Sequence, residues 1–440
     1  MNAPQDAWTD SFHDSAQPRA GLARRLPQLL RVTGASALLI AMYSFLVQGW
    51  QDGNDLLRYG LLLGHSLLLC GAGLASGHWL QEPRGARLLT SLALVSVPAN
   101  FAILGAFVYS QVGDTAMRYP DIAIWQLGSP GLTAIVVGAA SLLLLPVVIL
   151  GFRVLARPLS RRHSWQYLAG SAVLLIPLRD PVTVAALLLP LALLMLVQSE
   201  RNRDQHLSAR TPDGILARLL QFLPLGILLG RSLWLYDTDA FLFTAGLLSL
   251  FLALRQLSLL LPGQSIMRGF LEVGSGLLTP MIGIGIAVLL ERQLPDAWIL
   301  PAGSLVTGGL LWELSRRVEM APPLYRSLAM LTLLAGFAGN LYLLGGLGNA
   351  LGCIVAGLLL VLAGQRWQQL ALLSTGLLIA GSGLLYLFGR LLIAFDLGGW
   401  LSLALAGVAA ILLGSLIEAG GGRLGSRVGR LKQHFRQWDL

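Results

Sequence analysis

Four polar residues recur at helical spacing within an apolar segment in the second half of the chain. They are Arg268, Glu272, Ser275 and Thr279, and intervals of four, three and four residues place them on one face of an α-helix. A carboxylate beside a guanidinium can bind a proton or cation together with an anionic group, which is the chemistry of a coupled transport site. The alternative is a local ion pair between Glu272 and Arg268 near the end of the segment.

The same segment has the composition of a kinked helix that a neighbour approaches closely. Pro280 leaves the carbonyl of residue 276 without its helical hydrogen bond. Polar stripes on kinked helices hold the ligands of several transporters, and small residues allow a neighbour or ligand to come near. Glycines that only pack against another helix are the second interpretation. The glycines concerned are Gly274, Gly276, Gly283 and Gly285.

Arg231 and His65 are candidates in two other apolar segments. Arg231 lies near a segment end, with Asp237 and Asp239 following. Its long side chain can reach polar surroundings and pair there, or it can belong to a ring of charge at a substrate entrance. Imidazole titrates near neutral pH, so His65 can relay protons; a hydrogen bond to an adjacent helix is the alternative.

Two amides, Asn100 and Asn340, lie in the middle of apolar segments. Hydrogen bonds between helices account for both, with about 0.6–2 kcal/mol for each bond. Cys70 and Cys353 are isolated thiols in apolar segments and predict neither a disulfide nor a metal site.

The composition predicts that a lipid bilayer surrounds these segments. The chain is 55% hydrophobic and 12% charged, whereas a soluble domain is about 25% charged. Apolar windows of about 20 residues, long enough to cross a bilayer, recur along the sequence. We therefore predict an all-α integral membrane protein with 14 spans, at residues 32–49, 58–77, 88–110, 131–152, 165–178, 181–198, 214–235, 239–261, 267–290, 297–315, 323–344, 347–364, 368–388 and 398–417.

The distribution of basic residues predicts the orientation of these spans. With the N-terminus in the cytoplasm, 25 of the 31 basic residues fall on the cytoplasmic side, as the positive-inside rule requires. Residues 165–198 count as two spans because one helix of that length would be about 50 Å long, and Pro177 and Pro181 disfavour a continuous helix. Both chain ends are then cytoplasmic.

Two polar segments flank the membrane domain at residues 32–417. Residues 1–31 form a cytoplasmic arm of mixed charge, which is unlike a signal peptide, so we expect the first span to remain as an uncleaved anchor. In the tail, residues 418–440, Arg423, Arg427 and Arg430 have helical spacing. This tail either lies on the anionic inner leaflet or only stops the last span.

The sequence contains no motif for catalysis. The zinc motif His-Glu-x-x-His and the nucleophile elbow Gly-x-Ser-x-Gly do not occur. A phosphate-binding loop needs a lysine, and the only lysine is Lys432 in the tail. We therefore predict no catalytic residue, no metal and no cofactor. A membrane-embedded enzyme would need a polar cluster contributed by distant helices.

Residues 34–50 (GASALLIAMYSFLVQGW) and 86–105 (ARLLTSLALVSVPANFAILG) resemble the early helices of multi-spanning bacterial inner-membrane proteins. These families are described only as domains of unknown function. The resemblance covers about a quarter of the chain and implies a bacterial cytoplasmic membrane as the setting. It transfers no site residue.

The sequence leaves three hypotheses about function. The first is a non-enzymatic envelope or membrane-complex component that packs against lipids, another membrane subunit or a second copy of itself. The second is a secondary transporter or lipid-handling protein with its site in the ninth span, residues 267–290. The third is a membrane-embedded enzyme. The net charge of +9 is spread over loops, so the positive-inside distribution explains it without nucleic acid.

Reporter fusions at both chain ends and within residues 157–162 test this orientation. All three should report the cytoplasm, because each position lies on the basic side of the predicted spans. Chain ends on opposite faces, or an external position for residues 157–162, would contradict the predicted spans.

Overall fold

The computed structural model describes residues 17–47, 54–113, 125–177, 179–205, 211–235, 238–261 and 265–394, with four further positions at 404, 407, 408 and 411. These residues are helical and contain no β-strand. Eleven helical segments of the described residues are long and apolar enough to span a membrane, and one of them, Pro212–Leu233, covers two of the helices named below. The chain forms two compact units, residues 1–237 (unit 1) and 238–440 (unit 2).

In unit 1 the helix α3 is the central element. It packs against α2, α4 and α8, and 72% of its most apolar window is buried. The helices of this unit are α1 (Gln17–Val47), α2 (Asp55–His78), α3 (Pro83–Val112), α4 (Pro130–Leu155), α5 (Ser160–Ala172), α6 (Pro181–Gln205), α7 (Pro212–Leu220) and α8 (Leu223–Leu235).

In unit 2 successive helices pack side by side. Contacts run from α9 to α10, α11 and α12, and α14 pairs with α15. A π-helical segment, Ala335–Gly339, joins α12 to α13, and together they make one span. The helices of this unit are α9 (Ala240–Leu260), α10 (Ile266–Leu290), α11 (Asp296–Ser315), α12 (Pro322–Leu334), α13 (Asn340–Leu344), α14 (Leu347–Trp367) and α15 (Leu370–Ala394).

Eleven predicted spans correspond to these membrane-length helices, and three do not. The first span lies in α1, which already begins at Gln17, but its apolar stretch, Leu29–Met42, is shorter than a membrane span. The fifth span is α5, whose 13 residues are followed by a 3₁₀ turn, Val173–Leu175. Residues 398–417 lie almost entirely outside the described part of the chain, as does the tail. The total of 14 therefore stays a prediction.

The predicted break between the fifth and sixth spans is confirmed. The backbone leaves the 3₁₀ turn in an extended conformation at Ile176, and α6 begins at Pro181. Asp180 caps this helix, because its carboxylate accepts hydrogen bonds from the backbone N–H and the hydroxyl of Thr183 at 3.0 and 2.8 Å. These hydrogen bonds lower the pKa of Asp180, so the cap persists to a lower pH than an unbonded carboxylate would allow.

Small residues bring the backbones of α14 and α15 together. A Cβ atom added to Gly357 would lie 2.6 Å from the carbonyl oxygen of Gly376 and 2.7 Å from the Cβ of Ala380. Van der Waals packing of this kind holds helices together in lipid, where the hydrophobic effect between helices is absent.

Gly357→Ala should therefore destabilise the protein, by about 1–3 kcal/mol, because the added methyl group meets backbone atoms that cannot move aside easily. Gly381→Ala in α15 is the matched control, since nothing lies within 4 Å of a Cβ at that position. Thermal unfolding in detergent measures both. Equal stability of the two variants would contradict the close contact.

Candidate functional site

The polar stripe predicted in the ninth span lies on α10 and begins with a buried ion pair. Arg268 Nε donates to Glu272 Oε1 at 2.8 Å, and only 6% and 2% of these two side chains are exposed. Arg268 also pairs with Glu319, Nη1 to Oε1 at 3.0 Å. The predicted contact between Arg268 and Glu272 is present, and a second carboxylate that the sequence did not predict joins it.

A second set of ion pairs lies next to this one, and the two sets together form an ionic cluster. Glu313 on α11 binds both Arg255 on α9 and Arg317. The carbonyl of Arg317 lies 3.5 Å from Arg268 Nη2, which donates to it. The three arginines and three glutamates of these pairs carry equal and opposite formal charge, so the cluster ties helix ends together without an excess of either sign.

The remaining polar residues of the stripe bond within α10 or to α11. The Ser275 hydroxyl donates to the carbonyl of Leu271 at 2.7 Å. The Thr279 hydroxyl donates to the carbonyl of Gly276 at 2.8 Å, which is the carbonyl that Pro280 frees. A side chain within one turn therefore supplies a hydrogen bond to the carbonyl that the proline frees.

Neighbouring helices pack closely against two glycines of α10. A Cβ added to Gly283 would lie 2.7 Å from the carbonyl oxygen of Gly303 on α11, and one added to Gly276 would lie 2.7 Å from the ring of Tyr325 on α12. At these two glycines the space beside α10 is therefore occupied by a neighbouring helix. This agrees with the interpretation that the glycines pack against other helices.

Asn100 and Asn340 both make hydrogen bonds between helices, as predicted. Asn100 on α3 donates to the hydroxyl of Ser66 on α2 at 2.9 Å, and Ser96 donates to the same hydroxyl at 2.8 Å. Asn340 on α13 donates to the carbonyl of Ala297 on α11 at 2.7 Å. Each amide therefore serves a helix contact of its own.

Arg231 and His65 make no side-chain contact with the polar stripe of α10 or with the two asparagines among the described residues. Arg231 donates to the carbonyl of Leu174, in the 3₁₀ turn after α5, at 2.9 Å. Its predicted partner Asp237 lies outside the described residues, and Asp239 caps α9 through the N–H of Leu242. His65 is half-buried and makes no hydrogen bond to the described residues. Of the eight candidates, only Arg268 and Glu272 are paired with each other through their side chains.

Sequence reasoning missed a cavity of about 300 Å³ in unit 1. It lies between α5, α6 and α7 and reaches the junction of α7 with α8. Five polar residues line part of its wall, and the rest is apolar. The polar residues are Gln166, Gln198, Ser199, Arg218 and Gln221.

Arg218 gives the polar wall of this cavity a positive charge. It is buried, with 3% of its surface exposed, and its Nη2 donates to the carbonyl and the hydroxyl of Ser199 at 3.0 and 3.1 Å. Gln221 donates to the carbonyl of His163 at 3.1 Å, and Arg162 donates to the side-chain oxygen of Gln198 at 2.5 Å. Among the described residues, no acidic side chain lines the cavity.

No single span predicts this cavity, because three helices contribute to it. The sequence does contain one signal, since Arg218 and Gln221 lie one helical turn apart inside the predicted span 214–235.

A groove of about 470 Å³ runs along the junction of α4 and α5. Arg153 and Arg161 line it together with Trp165, and all three are exposed. Neither arginine has an ion-pair partner among the described residues. Exposed arginines beside tryptophan are typical of the membrane interface.

No protein-family model matches this chain, and no curated protein or solved structure matches it significantly.

Arg268→Gln should destabilise the protein by about 3–5 kcal/mol, because it leaves Glu272 buried without a counter-charge. Glu272→Gln should cost less, since Arg268 keeps Glu319. The double variant should recover part of the loss in a double-mutant cycle of unfolding measurements.

Arg292→Gln is the control for this series. Arg292 is exposed and has no ion pair among the described residues, so its replacement should change the free energy of unfolding by less than about 0.5 kcal/mol. A larger loss for Glu272→Gln than for Arg268→Gln would contradict the assignment of Glu272 as the carboxylate that depends on Arg268.

Proposed function

We propose that this chain is a polytopic, non-enzymatic protein of the bacterial inner membrane that acts as an envelope or membrane-complex component. In this proposal it has 14 spans, both chain ends are cytoplasmic, and it packs against lipids, another membrane subunit or a second copy. Eleven membrane-length helices support the multi-pass architecture, and the resemblance of residues 34–50 and 86–105 supports the bacterial setting.

One observation carries the proposal: the candidate polar residues are used in separate helix contacts. Asn100 links α3 to α2, Asn340 links α13 to α11, and the Thr279 hydroxyl stays within α10. A transport or catalytic site needs several such groups around one ligand. Groups that bond to neighbouring helices instead stabilise a scaffold.

A transport site on α10 has weaker support. Glu272 is the only carboxylate of the stripe, and one of its oxygens is held by Arg268. Its other oxygen, Oε2, is buried without a hydrogen-bond donor among the described residues. A coupling carboxylate exchanges protons or ions with water during transport, whereas this one is enclosed by the ionic cluster at the end of the helix.

Lipid handling is the second candidate function, and the cavity between α5, α6 and α7 favours it. This cavity combines a buried positive charge with an apolar wall, which is the combination that an amphiphilic ligand requires. The site would then lie in unit 1 and not on α10, where the sequence predicted it.

Complementation of a deletion strain distinguishes a scaffold from a transporter that depends on α10. We expect Glu272→Gln to restore the envelope phenotype as well as the natural chain does, because a scaffold needs no titrating carboxylate. The control, Arg292→Gln, should also complement. Membrane levels of each variant are measured by immunoblot, and loss of function by Glu272→Gln at a normal protein level would contradict the proposal.

A further inference from the structure

The groove between α4 and α5 is polar at one end and apolar at the other. On α4, Leu145, Ile149 and Arg153 line it at intervals of four residues, so they follow one face of the helix. On α5, Arg161 comes before Leu168. Because a short turn joins the two helices, both arginines lie at the connected end of the groove and both leucines lie away from it.

Contacts between the two helices show that α5 folds back along α4. The ring of Phe152, near the end of α4, packs edge to face against the rings of His163 and Tyr167, with centroids 5.7 and 5.3 Å apart. Further from the turn, the hydroxyl of Ser164 donates to the carbonyl of Val148 at 3.5 Å. These buried side chains hold the two walls of the groove in place without the help of its exposed arginines.

The length of α4 places the two ends of the groove at different depths in a bilayer. The 26 residues of this helix extend over about 39 Å, whereas the hydrocarbon core is about 30 Å thick. A helix of this length reaches the headgroups on both sides. Arg153, in the last turn, therefore lies at headgroup level, and Leu145, about 15 Å from the end of the helix, lies among the acyl chains.

Arg153 and Arg161 give the headgroup end of the groove a positive charge. Both side chains are exposed, and neither has an ion pair or a side-chain hydrogen bond among the described residues. No acidic residue is found among those that line the groove. Trp165 lines the same groove with 65% of its surface exposed, and an exposed indole favours the interface between headgroups and acyl chains.

We infer that this groove binds an anionic phospholipid, with the phosphate at Arg153 and Arg161 and one acyl chain along Ile149, Leu145 and Leu168. The guanidinium group is well suited to bidentate binding of a phosphate. The volume of about 470 Å³ lies within the range for ligand pockets, roughly 300–1,000 Å³, and suits a headgroup with part of one chain.

Charge complementarity favours a lipid over another helix as the occupant. An apolar helix would cover Leu145 and Ile149 but would leave two guanidinium groups without a counter-charge. An anionic lipid carries its charge and its chains in the same order as the groove carries its arginines and its apolar residues. A free phosphate would satisfy only the arginines.

The inference rests on the membrane setting of the proposed function and not on the scaffold role. A scaffold with a bound lipid satisfies both, and so does a protein that transfers the lipid. The complementation experiment with Glu272 addresses the other unit of the chain, so the two tests can fail separately.

The test is a titration of the purified full-length protein in detergent with a short-chain phosphatidylglycerol, followed by native mass spectrometry. The natural chain should bind one molecule saturably. Short-chain phosphatidylcholine, whose choline cancels the phosphate charge, and inorganic phosphate, which has no chain, should each bind at least about tenfold more weakly, a difference of about 1.4 kcal/mol.

A first pair of variants tests the charge. Arg153→Gln together with Arg161→Gln should weaken the binding of phosphatidylglycerol at least about tenfold. The matched control is Arg84→Gln together with Arg157→Gln, which removes two exposed arginines of the predicted cytoplasmic side that do not line the groove. The control should bind within about twofold of the natural chain. All four side chains are exposed, so both variants should fold.

A second pair of variants tests the apolar half of the groove. Ile149→Trp fills the path of the chain and should weaken binding at least about tenfold. Leu143→Trp is the control, because Leu143 and Ile149 are exposed to nearly the same extent, 46% and 44%. Leu143 does not line the groove, and a separation of six residues places it on another face of α4. This control should bind as the natural chain does.

Three results would overturn the inference. The first is a loss of binding in the Arg84 and Arg157 variant as large as in the groove variant, because the attraction would then belong to the basic surface as a whole. The second is normal binding by Ile149→Trp. The third is binding of phosphatidylcholine or inorganic phosphate as tight as that of phosphatidylglycerol.

Discussion

Hydrocarbon offers no hydrogen bonds, so a polar group within an apolar helix is stabilised when it finds a partner in the protein. Many features of the structure follow from this constraint. The carbonyl freed by Pro280 accepts the Thr279 hydroxyl, and the Asn100 amide bonds to Ser66 on the next helix. These contacts are short and local because a partner one turn or one helix away is the nearest available. Polar residues that look like a site in the sequence thereby become part of the framework.

Two charged regions, the cluster around Arg268 and the cavity wall around Arg218, meet this constraint in different ways. The cluster around Arg268 and Glu313 matches each arginine with a carboxylate, so its charges are satisfied inside the protein. The wall around Arg218 has a guanidinium bonded to neutral oxygens of Ser199, and no acidic lining among the described residues.

Much of the architecture could be predicted from the sequence because it depends on local properties. Length and hydropathy located the membrane helices, and Pro177 with Pro181 located the break before α6. The spacing of Arg268 and Glu272 predicted their contact, since residues four apart on a helix are neighbours. Two features could not be predicted in this way. Glu319 joins Arg268 through the connection after α11, and the cavity at Arg218 needs three helices whose arrangement no single segment encodes.

The hydrogen bond from Arg231 to the carbonyl of Leu174 has a consequence for the order of assembly. The donor comes 57 residues after the acceptor in the chain, so the C-terminal end of α5 is synthesised before α8. Until α8 arrives, this carbonyl lacks the guanidinium that serves it in the finished protein. The structure at the C-terminal end of α5 is therefore completed only by a later helix, and a chain truncated before residue 231 would lack this hydrogen bond.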